Sequence, residues 1–347
     1  MGTENKLYFS SDYMEGAHPA IIQRLVQTNM EQTAGYGTDE YCERARSLIR
    51  KVCNCPDAAV HFLVGGTQTN ATVIDALLNR YEGVIAAQTG HVAVHEAGAI
   101  EFGGHKVLPI TGDKGKITAA AIEHYLRDFY ADGNYEHMVH PGMVYISQPT
   151  EYGTLYTKQE ITAISTVCRK YRIPLYVDGA RLAYALACKE NDVTLANLAE
   201  FCDAFYIGGT KCGALFGEAV VIPDPKRSPH FFTIMKQHGA LLAKGRLLGI
   251  QFETLFTDDL YLHIGETAIR AADTIRAFLD SQGYEQYFTA PTNQIFIVLD
   301  NTRYAELSQK IAFGFWEKKD DSHTVVRIAT DWATTDENVA KLLQTLA

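Results

Sequence analysis

The sequence predicts an α/β fold: a mostly parallel sheet covered by helices, followed by a smaller α+β unit. Three observations carry this expectation. From Ala59 to Ile222, short β-branched runs alternate with stretches of helical periodicity. Those runs are apolar almost throughout, as in strands buried on both faces. After about Pro223 the alternation stops and a different order of elements begins.

The candidate strands are Ala59 to Val64, Val84 to Ala87, Lys106 to Ile110, Met143 to Ser147, Leu175 to Asp178, Ala204 to Ile207 and Ala219 to Ile222. Helical patterns lie between them at Thr67 to Tyr81, Thr118 to Tyr130 and Lys158 to Tyr171. A long helical region with few breakers is expected from Pro229 through Gln282. The tail then reads as a strand at Gln294 to Leu299, a helix near Tyr304 to Phe313, a strand at Thr324 to Ile328 and a last helix from Thr335. No internal repeat or low-complexity linker is visible.

A chain of 347 residues with 47% apolar content exceeds one ordinary domain and suits a large unit plus a smaller one. Its formal charge of -10, with no stripe of Lys and Arg, argues against a nucleic-acid partner. No apolar run is long enough for a bilayer, and Met1 to Ser11 lacks the apolar stretch of a secretion signal. The seven cysteines are scattered and odd in number, which points to reduced, mostly buried thiols and a cytoplasmic protein. Cys53-Asn54-Cys55 reads as buried thiols better than as half of a metal site.

Ligand chemistry in an open parallel sheet lies at the carboxyl ends of its strands, where three groups stand out. In Val64-Gly65-Gly66-Thr67-Gln68-Thr69-Asn70 a strand turns into a helix. Gly66 lets the backbone approach a ligand, free N–H groups attract an anion such as phosphate, and Thr67 and Gln68 add donors. The segment is neither a Walker P-loop nor a G-x-G-x-x-G fingerprint; the plainer reading is a tight turn with Thr67 as helix cap. In Leu175-Tyr176-Val177-Asp178-Gly179-Ala180-Arg181 an apolar strand ends in a carboxylate. Asp178 there can face a protonated ring nitrogen, and a cationic pyridine is what makes pyridoxal phosphate an electron sink. Arg181 can hold a carboxylate by a bidentate pair. Otherwise Asp178 caps the next helix and Arg181 forms a surface ion pair.

The third group is Tyr206-Ile207-Gly208-Gly209-Thr210-Lys211-Cys212-Gly213. Lys211 follows an apolar strand among small residues, as a desolvated Schiff-base lysine requires. The alternative is a lysine snorkelling from a strand end. His91 and His95, at i and i+4, also invite a zinc reading, but no third ligand stands out and no metal is expected. His137 and His140 read as loop histidines or active-site bases.

Phosphate cradle, strand-end Asp, then Lys is the order of fold-type-I pyridoxal-phosphate enzymes, the aspartate aminotransferase-like fold. With that order the chain resembles the L-threonine aldolase branch of the β-eliminating lyase and threonine aldolase family, over most of its length. Asp178-Gly179-Ala180-Arg181 matches the family's Asp-Gly-Ala-Arg motif, Gly66-Thr67 with Asn70 resembles its Ser-Gly-Thr segment, and Lys211 occupies its cofactor lysine. The resemblance implies further roles. Ser11, in Phe9-Ser10-Ser11-Asp12, would help hold the substrate carboxylate with Arg181 and Arg327. Tyr36, with Gly37 and Asp39, would lie near the active site, and His91 would stack on the pyridine ring. Arg246 would reach a neighbouring subunit's cofactor phosphate, and Thr210 would join the cofactor contacts. His137 resembles a histidine suspected of a proton role.

The chain departs from the family pattern at Thr210-Lys211-Cys212, where Ser-Lys-Gly is usual. It departs again at Ser147-Gln148-Pro149-Thr150, where Glu-Asn-Thr-His is usual. The expectation is retro-aldol cleavage of L-threonine or L-allo-threonine to glycine and acetaldehyde. Lys211 carries the cofactor, and His91 or His137 is the base. The rivals are another enzyme of this cofactor class, such as a β-eliminating lyase or aminotransferase, and a non-catalytic amino-acid-binding protein. The expected organisation is an N-terminal arm (1–16), a large cofactor domain (17–242) and a small C-terminal domain (243–347). A homodimer or homotetramer with shared active sites is expected.

Overall fold

The structure is a computed structural model that describes residues 6–347; residues 1–5, the start of the expected arm, lie outside the described residues. Its strands are β1 (Leu7–Phe9), β2 (Ala59–Leu63), β3 (Glu82–Ala87), β4 (Val107–Ile110), β5 (His140–Ser147), β6 (Leu175–Asp178), β7 (Ala204–Gly208), β8 (Glu218–Ile222), β9 (Gln286–Phe288), β10 (Gln294–Asp300), β11 (Ile311–Lys318) and β12 (His323–Ala329). All seven strands expected between Ala59 and Ile222 are present, and they form one sheet in the order β2-β8-β7-β6-β5-β3-β4. The run β4-β3-β5-β6-β7 is parallel throughout. β8 is antiparallel to both β7 and β2.

Alternation along the strands sends side chains to two separate cores. Val144, Ile146, Leu175, Val177, Phe205 and Ile207 enter one. Met143, Tyr145, Tyr176, Ala204 and Tyr206 enter the other. The covering helices begin where the sequence places capping residues. Helix Lys158–Tyr171, for example, starts with a Thr157–Glu160 capping box, and Arg172 ends it in a left-handed conformation.

Two parts of the C-terminal reading need correction. The expected long helical region breaks into helices Phe231–Gln237, Arg246–Phe256, Leu260–His263 and Glu266–Ser281. Left-handed residues at Gly239, Asp258 and Asp259 interrupt it. The helix expected near Tyr304 to Phe313 is instead a shorter helix, Asn301–Leu307, followed by β11. Asp300 caps that helix through the Thr302 and Arg303 N–H groups, so it starts and stops earlier than its apolar pattern suggests. β11 pairs with β12 on one side and with β1 on the other, giving a second sheet in the order β1-β11-β12-β10-β9. Apolar residues of helix Glu266–Ser281 from Ala271 onward pack on this sheet, whereas Ala268 and Ile269 belong to the larger core.

Glycine is required where β6 leaves the sheet. A Cβ on Gly179 would stand 2.0 Å from the Tyr206 carbonyl oxygen, which is backbone of the neighbouring strand. Gly179→Ala must therefore push β6 and β7 apart. We expect a loss of roughly 3 kcal/mol, the upper end of overpacking costs, read as a lower urea midpoint.

Candidate active site

The carboxyl ends of the parallel strands converge on one cavity. Its inner chamber, about 290 Å³, is lined by Gly66 and Thr67 after β2, His91 after β3, Asp178 and Arg181 at β6, and Thr210 and Lys211 after β7. Tyr13, His91, Glu151, Arg181 and Lys211 also line an outer chamber of about 650 Å³, together with His95, Tyr152, Phe315, Trp316 and Arg327. The phosphate-cradle reading and the strand-end readings thus meet in one place.

Asp178 is buried, and its carboxylate is fully engaged. Oδ2 accepts from the Tyr145 hydroxyl at 2.6 Å and from Asn70 Nδ2 at 3.0 Å, and Oδ1 accepts from the Ala180 N–H at 2.9 Å. Burial alone would raise its pKa. The nearby His91 ring and hydrogen bonds from Tyr145, Tyr206 and Asn70 outweigh that and hold it below the ordinary value. Asn70 is fixed in turn: its Oδ1 accepts from the Tyr176 hydroxyl at 2.8 Å, and its Nδ2 also donates to Glu96 at 2.7 Å. Glu96 closes the ring of contacts by meeting His91 Nδ1 at 2.7 Å, which fixes the imidazole at the cavity wall. The His91 N–H and the Ser147 hydroxyl both donate to Glu151 Oε1, at 3.0 and 2.7 Å. Burial pushes the carboxyls of Glu96 and Glu151 upward in pKa.

Lys211 is half-buried, with its amine 5.9 Å from the centre of the Tyr13 ring. Among the described residues Nζ has no hydrogen-bond partner. Burial and the Arg181 charge lower its pKa, against Asp12, Asp178 and Glu218, which favour the ammonium. Desolvation of this kind is what a Schiff-base amine requires. Cys212 beside it is no competitor, since burial pushes its thiol up to about 12. Glu218, the first residue of β8, is buried in the same chamber. It accepts from the Thr210 hydroxyl at 2.7 Å and from the Gly209 N–H at 3.0 Å.

The segment before residue 17 reaches the cavity, where Tyr13 lines both chambers. Ser11 is buried with its hydroxyl unpartnered among the described residues. Asp12 takes Arg181 Nε at 2.6 Å and Nη2 at 3.0 Å, so the expected surface ion pair of Arg181 is in fact a buried, two-pronged one. Arg327 donates to Gln294 Oε1 at 2.9 Å and to the Ser10 carbonyl at 2.8 Å, holding the arm against β12.

Not every candidate comes to this cavity. His137 is exposed and stands before the amino end of β5, whereas the cavity lies at its carboxyl end. Seven strand steps at about 3.3 Å each separate His140 from Ser147, roughly 23 Å, so His137 cannot serve this chain's own cavity. Tyr36 is exposed and borders a small separate recess with Arg46, His61 and Phe62. Arg246 is buried against the carbonyls of Asn29 and Glu31. Gln68 turns away from the chamber and bridges the Val64 N–H to the His238 carbonyl. Thr67 is not the cap either: the cap position of helix Gly66–Leu77 is Gly65, which leaves the first N–H groups without a side-chain acceptor. Residues the sequence reading passed over are Asp12, Tyr13, Tyr145, Glu151, Tyr206 and Glu218. For the tyrosines a signal existed, because Tyr145, Tyr176 and Tyr206 each precede a strand-end residue by two positions and so share its face.

Asp12 should be costly to neutralise. Burial would raise its pKa, but the charges of Arg181 and Lys211 bring it far below the ordinary carboxylate value. Its contribution is fully present above about pH 4 and is lost as pH falls toward the depressed native value. We expect Asp12→Asn to lose about 3–5 kcal/mol in urea unfolding at pH 7, the cost of leaving a buried charge unpaired. Its stability should also fall less steeply than wild type below pH 4.

Comparison with known proteins agrees with this geometry. The family model described as beta-eliminating lyase matches residues 9–276. The low specificity L-threonine aldolase of Pseudomonas aeruginosa is 31% identical over 300 residues, 86% of this chain and 85% of that one. The structure of the Leishmania major threonine aldolase superposes with a TM-score of 0.94 at 43% identity, covering 98% of both chains. The Thermus thermophilus aspartate aminotransferase, at 14% identity and a TM-score of 0.71 over 99% of this chain and 91% of that one, shares the fold. With most of its length matched by the family model and its strand-end residues gathered in one cavity, the chain belongs to the beta-eliminating lyase family.

Proposed function

We propose that this chain is a pyridoxal-phosphate enzyme that cleaves L-threonine or L-allo-threonine to glycine and acetaldehyde. One observation carries the cofactor assignment: the Lys211 amine and the Asp178 carboxylate, after adjacent strands, face one chamber. The substrate assignment is supported by the likeness to threonine aldolases over nearly the whole chain.

The residues present fit the cofactor. Asp178 is a permanently ionised group suited to a protonated ring nitrogen. The uncapped start of helix Gly66–Leu77, with Gly66 and Thr67 on the chamber wall, suits a phosphate. Lys211 is the attachment point, and Thr210 borders it. When bound, the cofactor supplies an aldehyde that condenses with amines and a cationic ring that draws electrons from Cα.

The chain's own residues do the rest. Ser11, Arg327 and the donor of Arg181 left over by Asp12 hold the substrate carboxylate. That grip turns the Cα–Cβ bond toward the perpendicular of the ring, selecting which bond breaks. His91, fixed by Glu96, takes the β-hydroxyl proton through a water and returns a proton, again through water, to Cα before glycine leaves. Tyr36 and Arg246, remote from this chain's own cavity, are suited to serve a neighbouring subunit's site in a homodimer or homotetramer. The large unit runs on from residue 17 through Ile269, and the small unit's core begins at Ala271, later than the expected boundary at 243, because helix Arg246–Phe256 packs into the larger core. Seven unpaired thiols, six of them buried, support a cytoplasmic setting.

Borohydride reduction of the loaded enzyme should fix the label on Lys211, and threonine should release aldehyde without converting the cofactor to its amine form. Label on another residue, or an amine-form cofactor without aldehyde, overturns the reading. His91→Asn should lower kcat by about a hundredfold or more, the range of a lost acid–base group. Undiminished cleavage would exclude His91.

A further inference from the structure

Glu218 is more than the local fold needs. The turn before Lys211 is already closed by backbone, because the Gly217 carbonyl accepts from the N–H groups of both Gly209 and Thr210, at 2.9 and 3.1 Å. The Glu218 carboxylate adds a second clasp on the same two residues, through the Gly209 N–H and the Thr210 hydroxyl. The Thr210 hydroxyl, with its proton on Glu218, accepts from the Gly217 N–H at 3.1 Å. A neutral polar side chain would serve such a clasp without the cost of burying an ionisable group. Its position follows from topology. β8 runs antiparallel to β7, with Gly208 opposite Glu218, so its first residue stands at the edge where the parallel strands end.

We infer that Glu218 is a positioning residue for Lys211: it clamps the turn that aims the lysine into the chamber and sets a buried carboxyl on the chamber wall that the lysine shares. The inference rests on the reading of Lys211 as the reactive amine. The charged groups acting on Glu218 are Lys211 and Asp178; those acting on Lys211 are Arg181, Asp12, Asp178 and Glu218. Burial raises the Glu218 carboxyl to about 8, opposed by the Thr210 hydroxyl, the Lys211 charge and the Gly209 N–H. Its charge is therefore present above that pH and fades below it. Where it is present it favours the ammonium form of Lys211, so its removal frees the amine.

The test uses the full chain freed of cofactor, with acylation of Lys211 by acetic anhydride followed by peptide mass spectrometry from pH 6 to 10. At pH 9, Glu218→Gln should raise the Lys211 rate roughly tenfold, the effect of one unit in amine pKa. Near pH 6 the two proteins should converge. In the loaded enzyme the same variant should move the pH dependence of the visible band. A merely structural role would alter stability without moving either profile. Should the Gln variant fail to fold, Glu218→Asp retracts the charge by one methylene and should raise the rate at pH 9 by a smaller factor. A Lys211 profile that matches wild type in the folded variants overturns the inference. Because the labelling needs no cofactor, it is separable from borohydride label falling elsewhere, which would overturn the cofactor reading instead.

Discussion

A single buried negative charge, the Asp178 carboxylate, is the constraint around which this site is built. Taking a carboxylate out of water is expensive unless its lone pairs are filled and a counter-charge stands near. The fold meets the first condition with groups from separate elements: the Tyr145 hydroxyl from β5, Asn70 from the helix after β2 and the Ala180 N–H from its own loop. Asn70 is itself pinned by Tyr176, and His91 by Glu96, so each donor arrives already oriented. A charge held this tightly stays ionised at neutral pH, and that permanence is what a cationic ring nitrogen requires of its neighbour.

A second balance of charge surrounds the first. Arg181, Arg327 and Lys211 all line the outer chamber, and Asp12 offsets part of their repulsion by taking two donors of Arg181. These cations are the set that the proposed grip on a substrate carboxylate calls for. Ser11 belongs to that proposed grip, its hydroxyl still seeking a partner. On the proposed reading the arm belongs to the binding site, and the Arg327 contact with the Ser10 carbonyl ties it to β12.

Much of this was legible because central strands of a parallel sheet announce themselves as apolar runs, and the loops leaving their carboxyl ends are where ligands are met. Asp178, Arg181, Lys211 and Gly66 were found on that logic, whereas His91 and Thr210 entered with the family resemblance. Strand direction decides what lies near the cavity: His137 belongs to a segment adjoining β5 but to the wrong end of it, and Glu218 enters only because β8 runs backwards. The pairing of Asp12 with Arg181 spans 169 positions and leaves no local periodicity to read. In the tail, β11 is half-buried and carries Gly314 and aromatic residues together, so its pattern resembles neither a clean strand nor a helix.

The parallel pairing of β1 with β11 sets an order of assembly. Leu7, Tyr8 and Phe9 are made first, yet their ladder partners Ile311, Ala312 and Phe313 come about three hundred residues later. Until that late strand arrives, the opening segment has no edge to join, and Ser11 and Asp12 have no fixed place.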